Sequence, residues 1–158
     1  MIKIDTIDKQ ISDLLLEDGR MSCARIAAQI GGITERTVRY RIERLIAKGI
    51  IAIRANVIAE SLGLDVCADV FIECDPSLVA EIAKQLATFE SISYIAYSTG
   101  NNDISIQLFA RSNSELFNFV TNVIGKIEGV RRTHTSFVPI KVKDDHVWPI
   151  PSYLVRKE

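Results

Sequence analysis

Apolar residues recur at helical spacing three times within the first fifty positions. Ile4, Ile7, Ile11, Leu14 and Leu15 mark a first helix, with Asp5 as its cap, Asp8 three residues on, and Gly19 beyond its end. A second short helix starts at Ser22, buries Ile26, Ala27 and Ile30, and stops at Gly31-Gly32. Thr34 then caps a third helix whose inward stripe is Val38, Ile42 and Leu45 and whose stop is Gly49. Three helices in fifty residues, the last two joined by a tight glycine turn, predict a helix-turn-helix over residues 1–50.

The pattern then changes period. Ile50–Asn56 alternates as a strand does, and residues 51–65 are predicted to be a strand linker, able to pair with its copy in a second subunit. From Val70 onward the chain repeats itself at an offset of 38 residues without a gap. Val70-Phe71 matches Leu108-Phe109, Leu78 matches Leu116, Ile82 matches Val120, Leu86 matches Ile124, and Glu90-Ser91-Ile92 matches Glu128-Gly129-Val130. Each unit reads strand, helix, strand. The strands are predicted at Val66–Cys74, Ile92–Thr99, Ile104–Arg111 and Val130–Val142, and the helices at Ser77–Phe89 and Ser114–Ile127. Two such halves give βαββαβ over residues 66–143, a ferredoxin-like sheet with helices on one face. The fold class is therefore α+β. The uncovered sheet face calls for a cover, and a second copy of the chain is the simplest one. Residues 144–158 form a tail whose prolines, in Val147-Trp148-Pro149-Ile150-Pro151, favour an extended arm.

Net charge is −1, which alone points to no polyanionic partner, but its distribution does. Thr34–Lys48 carries Arg36, Arg39, Arg41, Arg44 and Lys48 against Glu35 and Glu43. With Val38, Ile42 and Leu45 turned inward, Arg36, Thr37, Arg39, Tyr40, Arg41 and Arg44 are left for solvent or a partner. The N-terminal part of a recognition helix meets base edges in the major groove, which places Arg36, Thr37 and Tyr40 nearest the bases. Arg41, Arg44 and Lys48 lie further along and suit phosphates. A basic helix face is usually just solvated; here it is the third helix of a helix-turn-helix, which favours double-stranded DNA as partner.

Other chemistries find little support. The longest run free of Asp, Glu, Lys and Arg is the twelve residues Ser91–Asn102, short of the roughly 20 that a spanning helix needs, so no membrane partner is expected. Met1-Ile2-Lys3-Ile4-Asp5 opens no secretory signal, and the expected compartment is the cytoplasm. The three cysteines Cys23, Cys67 and Cys74 are too scattered for a disulfide framework, and Cys67 and Cys74 fall on opposite faces of one strand. The two histidines, His134 and His146, join no metal-ligand cluster, and no nucleophile elbow or P-loop is present, so no catalytic residue, metal or cofactor is expected. Gly100-Asn101-Asn102 before Asp103 reads as a hairpin turn.

The whole arrangement resembles the Lrp/AsnC family of transcription regulators. The resemblance is carried by Ile7–Ile11, Leu14–Ser22 with its Asp18-Gly19-Arg20-Met21-Ser22, Ile26-Ala27, Arg36-Thr37-Val38, Arg41-Ile42, Arg44-Leu45 and Gly49-Ile50-Ile51. It continues in Ser98-Thr99-Gly100-Asn101-Asn102-Asp103, which looks like the family's Thr-Gly-x-x-Asp effector loop, and in Gly129-Val130 through Thr133-His134-Thr135. The resemblance implies a DNA-binding regulator that is a homodimer, often assembled into an octamer, with an amino acid bound between dimers of the C-terminal domain. It implies Gly100 and Asp103 as effector-loop residues, with Thr99, Asn101, Asn102, Thr133 and Thr135 adjoining. The chain departs from the pattern in one extra residue within Gly31-Gly32-Ile33-Thr34, in Asn101-Asn102 where an acidic-aromatic pair is common, and in its tail. Two other readings share the layout. An architectural DNA protein would lack an effector, and a sirohaem decarboxylase would need a histidine- and tyrosine-rich surface of which this chain has little.

Overall fold

The computed structural model describes residues 3–143 and 147–156. The chain forms two compact units, Met1–Asn56 with Val142–Glu158 and, separately, Val57–Lys141.

The first unit holds α1 (Thr6–Glu17), α2 (Cys23–Ile30) and α3 (Glu35–Ala47). Each starts on a side-chain cap. Asp5 and Asp8 form a reciprocal capping box at α1, Ser22 caps α2, and Thr34 caps α3. Gly31 and Gly32 both take positive φ, 73° and 69°, and so accommodate the extra residue between α2 and α3 without strain. Ile11, Met21, Ile26 and Val38 make the core, with Ile7, Leu14, Ala27, Ile30 and Ile42 packed around it. Ile4 is not part of α1. It forms a parallel bridge with Val155, and the Arg156 N–H donates to the Ile4 carbonyl at 3.0 Å. The tail thus docks on the helical unit instead of forming a free arm; residues 144–146 and 157–158 of the predicted tail lie outside the described residues.

The second unit is βαββαβ: β1 (Val66–Cys74), α4 (Val79–Leu86), β2 (Ile92–Tyr97), β3 (Ile104–Ala110), α5 (Asn113–Asn122) and β4 (Val130–Phe137). The sheet is antiparallel in order β2-β3-β1-β4. Strand alternation decides the core: Ala68, Val70, Ile72 and Cys74 of β1 and Ile104, Ile106, Leu108 and Ala110 of β3 are buried under Ile82, Leu86, Leu116 and Val120 of the helices. The repeat-matched positions Leu78, Ile82 and Leu86 and their counterparts Leu116, Val120 and Ile124 all serve that layer. Cys67 lies on the other face, and burial pushes both it and Cys74 above the ordinary thiol range, as suits inert packing residues.

Several predicted elements are longer than those observed. Ser77 is held in a turn, because its N–H and hydroxyl both donate to Asp75 Oδ1, and α4 starts only at Val79. The last helix breaks at Asn122, and Gly125 sits in the 3₁₀ turn Ile124–Lys126 that follows. β4 ends at Phe137, with one further ladder bond from Val138 N–H to Cys67 O before Pro139, which has no N–H to give. Residues 51–58 form no strand, and a 3₁₀ turn follows at Glu60–Leu62. Alternation alone makes no strand; a ladder needs a neighbour, and the described residues supply none there.

Candidate functional site

The basic helix α3 is split by its partners. Asp8 lies on the apolar stripe of α1 and is fully buried. Arg41 donates to both carboxylates, at 2.6 Å to Asp5 and 2.9 Å to Asp8, and Arg44 donates to Asp8. The Arg41 side chain keeps only 19% of its exposure. Burial pushes the Asp5 carboxyl up, but the Arg41 hydrogen bond, the Asp8 N–H and the charges of Arg41 and Arg44 outweigh it and hold Asp5 below its ordinary value. Arg41, by contrast, is raised, chiefly by its bond to Asp5. Arg41 and Arg44, expected among phosphate contacts, tie α3 to α1 in this chain. The sequence held the clue: a carboxylate at position 8 on a buried stripe demands a cation, and Arg41 and Arg44 lie three apart on one face of α3.

The opposite face of α3 is open. Arg36, Arg39, Tyr40 and Lys48 are exposed, Tyr40 at 65%. Thr37 is half-buried, with its hydroxyl 3.0 Å from that of Thr34 at the helix start. Arg39 reaches Glu35 at 2.8 Å, one turn back, in a pair so exposed that a competing anion can replace it at little cost. Arg36 and Lys48 have no ion-pair partner among the described residues.

The second unit carries an open cleft of about 690 Å³ at the β2–β3 turn, lined by Gly100, Asn101, Asn102 and Asp103 from the turn and by Phe71, Glu73, Arg131, Arg132 and His134 from β1 and β4. Gly100 has φ +113°, a conformation that favours glycine. Asp103 locks the turn: its Oδ2 accepts the Cys74 N–H at 2.8 Å, its N–H donates to Ile72 O at 2.9 Å, and its carbonyl accepts the Ser98 N–H. Phe71 and His134 stack at 6.4 Å between ring centroids.

Thr99 does not line this cleft, and neither do Thr133 and Thr135. Register gives the reason. Thr133 pairs with Ile72 and Thr135 with Val70, both core-facing, so the two threonines lie on the helix side of the sheet. His134, opposite Phe71, takes the cleft side, and so does Arg132, opposite Glu73. A bulge between Glu73 and Cys74 leaves Arg131 unmatched on β4, which lets two consecutive arginines reach one cleft. Arg131 is engaged by Asp75 at 3.0 Å; Asp75 is held below the ordinary carboxylate range chiefly by the Ser77 hydroxyl and N–H, with Arg131 adding to them. Parity counting from Phe71 and Glu73 would have found Arg132 and His134; the bulge at Arg131 has no sequence signature.

The described residues contain no metal-ligating cluster and no helix long and apolar enough to cross a membrane. Two family models match the chain: a winged helix-turn-helix DNA-binding domain over residues 4–52 and an Lrp/AsnC ligand binding domain over residues 67–148. An uncharacterized HTH-type transcriptional regulator of Pyrococcus furiosus is 36% identical, over 85% of this chain and 91% of its own. The HTH-type transcriptional regulator FL11 of Pyrococcus abyssi is 33% identical over 94% and 98%. Among solved structures, AsnC of E. coli superposes with a TM-score of 0.81 at 26% identity, covering 90% of this chain and 97% of that one. A transcriptional regulator of Neisseria meningitidis, solved as a complex with L-Met, superposes at 0.87 with 20% identity over 97% and 100%, a likeness of fold.

Proposed function

The chain belongs to the Lrp/AsnC family of DNA-binding transcriptional regulators, and from that premise we propose that it reads operator DNA with the open face of α3 and responds to an amino acid held in the cleft at Gly100–Asp103. The observation that carries the effector half is the cleft itself. It presents carboxylate and guanidinium side chains together with a glycine turn, the set that a zwitterion needs in a partly dry site. The Neisseria meningitidis regulator of the same fold was solved with an amino acid, which supports the same class here.

On the DNA side, Arg36, Thr37 and Tyr40 meet base edges, and Arg39 and Lys48 meet phosphates. The chain works as a homodimer, with octamers a further step. Ile51 and Ile53 of the linker supply an apolar strand pattern with no strand partner among the described residues, which a second copy would complete.

Arg36→Ala tests the first half in a DNA-binding titration at two salt concentrations. It is expected to cost about 1–3 kcal/mol on the operator and to relax preference at one base. Lys48→Ala should weaken all sequences alike and lower the salt slope by about one unit. Equal losses on every sequence for both variants would remove the base-reading assignment. A thermal-shift screen of common amino acids tests the second half, since a ligand at 100 times its Kd stabilises by about 2.7 kcal/mol.

A further inference from the structure

The segment that begins Val147-Trp148-Pro149-Ile150-Pro151 has no part in the DNA-reading face or the cleft, yet its end docks at a sensitive place. Both prolines restrict their own φ, and Pro151 is extended at φ −61° and ψ 133°. One 3₁₀ turn, Ser152–Leu154, then sets Val155 in extended backbone, φ −84° and ψ 127°, beside Ile4. There the Arg156 N–H reaches the Ile4 carbonyl at 3.0 Å. Pro149, Ile150, Pro151 and Val155 are half-buried, and Ile4 is buried. The next residue is Asp5, also extended at φ −106° and ψ 177°, so Ile4 and Asp5 form one segment ahead of α1. Asp5 in turn accepts from Arg41 of α3 at 2.6 and 2.8 Å. Direct links thus run from the tail to Ile4, from Ile4 to Asp5, and from Asp5 to α3.

Resting on the reading of α3 as the helix that meets base edges, we infer that the C-terminal tail is a positioning element for α3: it pins Ile4, and through Ile4 the Asp5 carboxylate that holds Arg41. Asp8 anchors Arg41 and Arg44 from within α1, whereas Asp5 stands ahead of the helix and donates its N–H to Asp8 at a long 3.3 Å. Its carboxylate is shared as well, since Oδ1 accepts from both the Asp8 N–H and Arg41. Helix ends fray, and a residue in the cap position is held by the fewest backbone bonds. The docked tail opposes that fraying, and its prolines reduce the entropy lost on docking. With the tail undocked, a fraction of molecules presents Arg36, Thr37 and Tyr40 in the wrong rotation, and affinity falls with the competent fraction. Base contacts depend on that rotation, whereas phosphate contacts tolerate it. The effect therefore falls on preferred sequences and spares DNA in general.

The test titrates the protein with the duplex that the wild type selects from a random-sequence library and with an unrelated duplex, below the melting range of every variant. Arg156→Pro removes the N–H that docks the tail, and the extended Val155 accepts a following proline. It should weaken the selected duplex about fivefold, the net worth of one such bond, and the unrelated duplex less than about twofold, with an unchanged salt slope. A chain ending at Pro151 should match it. Arg156→Ala keeps the N–H and should bind as the wild type does. Asp5→Asn keeps an oxygen for the Asp8 N–H but gives up the charge that holds Arg41, so it should weaken the selected duplex at least as much. Arg156→Pro added to Asp5→Asn should then weaken binding less than about twofold further, because both changes cut one path. Full multiplication of the two losses overturns the path through Asp5. Wild-type affinity in both Arg156→Pro and the shortened chain, whatever their melting temperatures, makes the tail a structural brace and overturns the inference. A loss in Arg156→Ala equal to that in Arg156→Pro, with a lower salt slope, gives the Arg156 side chain a phosphate and overturns it as well. Arg36→Ala in the same titration checks the reading underneath. If that variant keeps the full preference for the selected duplex, or the wild type selects none, base reading by α3 fails and the inference falls with it.

Discussion

In the helical unit a fully buried carboxylate, Asp8, sits beside a small apolar core of Ile11, Met21, Ile26 and Val38, whereas the sheet unit buries an apolar layer running from Ala68 to Ile127 with no buried charge among its described residues. The size of the core explains the contrast. A three-helix unit of some fifty residues buries little apolar surface, so specific polar contacts carry a larger share of its stability. The capping box at Asp5 and Asp8 and the Arg41 and Arg44 bridges are those contacts, and the docked tail adds to them. The same bridges fix the rotation of α3 about its axis and so decide which side chains are offered to DNA. In the sheet unit stability is spread across many apolar side chains of the layer under the two helices.

That contrast breaks most visibly at Asp8. Asp8→Ala leaves Arg44 without its partner and should cost about 3 kcal/mol, the lower end for a broken buried pair because both arginines keep some solvent. Hydrogen exchange resolved by residue should show α1 to α3 losing protection while β1 and β3 keep theirs. Equal loss in both units would mean that they do not unfold separately.

Gly129 is the matching weak point of the sheet unit. Its φ is +88°, and a Cβ there would meet Leu78 Cδ1 at 2.7 Å and Leu78 Cβ at 3.2 Å. Gly129→Ala is expected to cost about 2 kcal/mol through strain and overpacking, with the exchange pattern reversed. Unchanged stability would show that Leu78 yields freely.

Removing residues 147–158 deletes the Ile4–Val155 bridge and should lower the stability of the helical unit by about 1 kcal/mol, roughly the net value of a hydrogen bond. Amino-acid affinity should not move; a shift in affinity without a shift in melting would give the tail a different role.

Acid gives the smallest effect. The folded-state pKa of Asp5 is depressed, so its contribution is fully present above the unfolded carboxylate value of about 4 and is lost as pH falls through the lower folded value. Arg41 stays charged throughout and adds no slope. The helical unit should therefore lose stability below about pH 4, and Asp5→Asn should flatten that decline in a melting series. Asp75 of the sheet unit is also depressed, but its pair with Arg131 is exposed to solvent and should contribute little to acid unfolding.

Much of this molecule is decided locally. The caps Asp5, Ser22 and Thr34, the glycine stops, the period-two runs and the 38-residue repeat are short-range features, and they determine by themselves the order of elements, the βαββαβ unit and the exposed Arg36–Tyr40 face. What tertiary structure decided depends on groups far apart in the chain. Charge density on α3 cannot tell a phosphate contact from a bridge to α1, because Arg41 and Asp5 are 36 residues apart. Strand parity cannot foresee a bulge, so Arg131 joins the cleft while Thr133 and Thr135 turn away from it. The alternating linker has no strand partner among the described residues, and only the docking of Val155 on Ile4 reveals where the tail belongs. In each case the local pattern fixes what a residue can do, and the partner that folding brings within hydrogen-bonding distance fixes what it does.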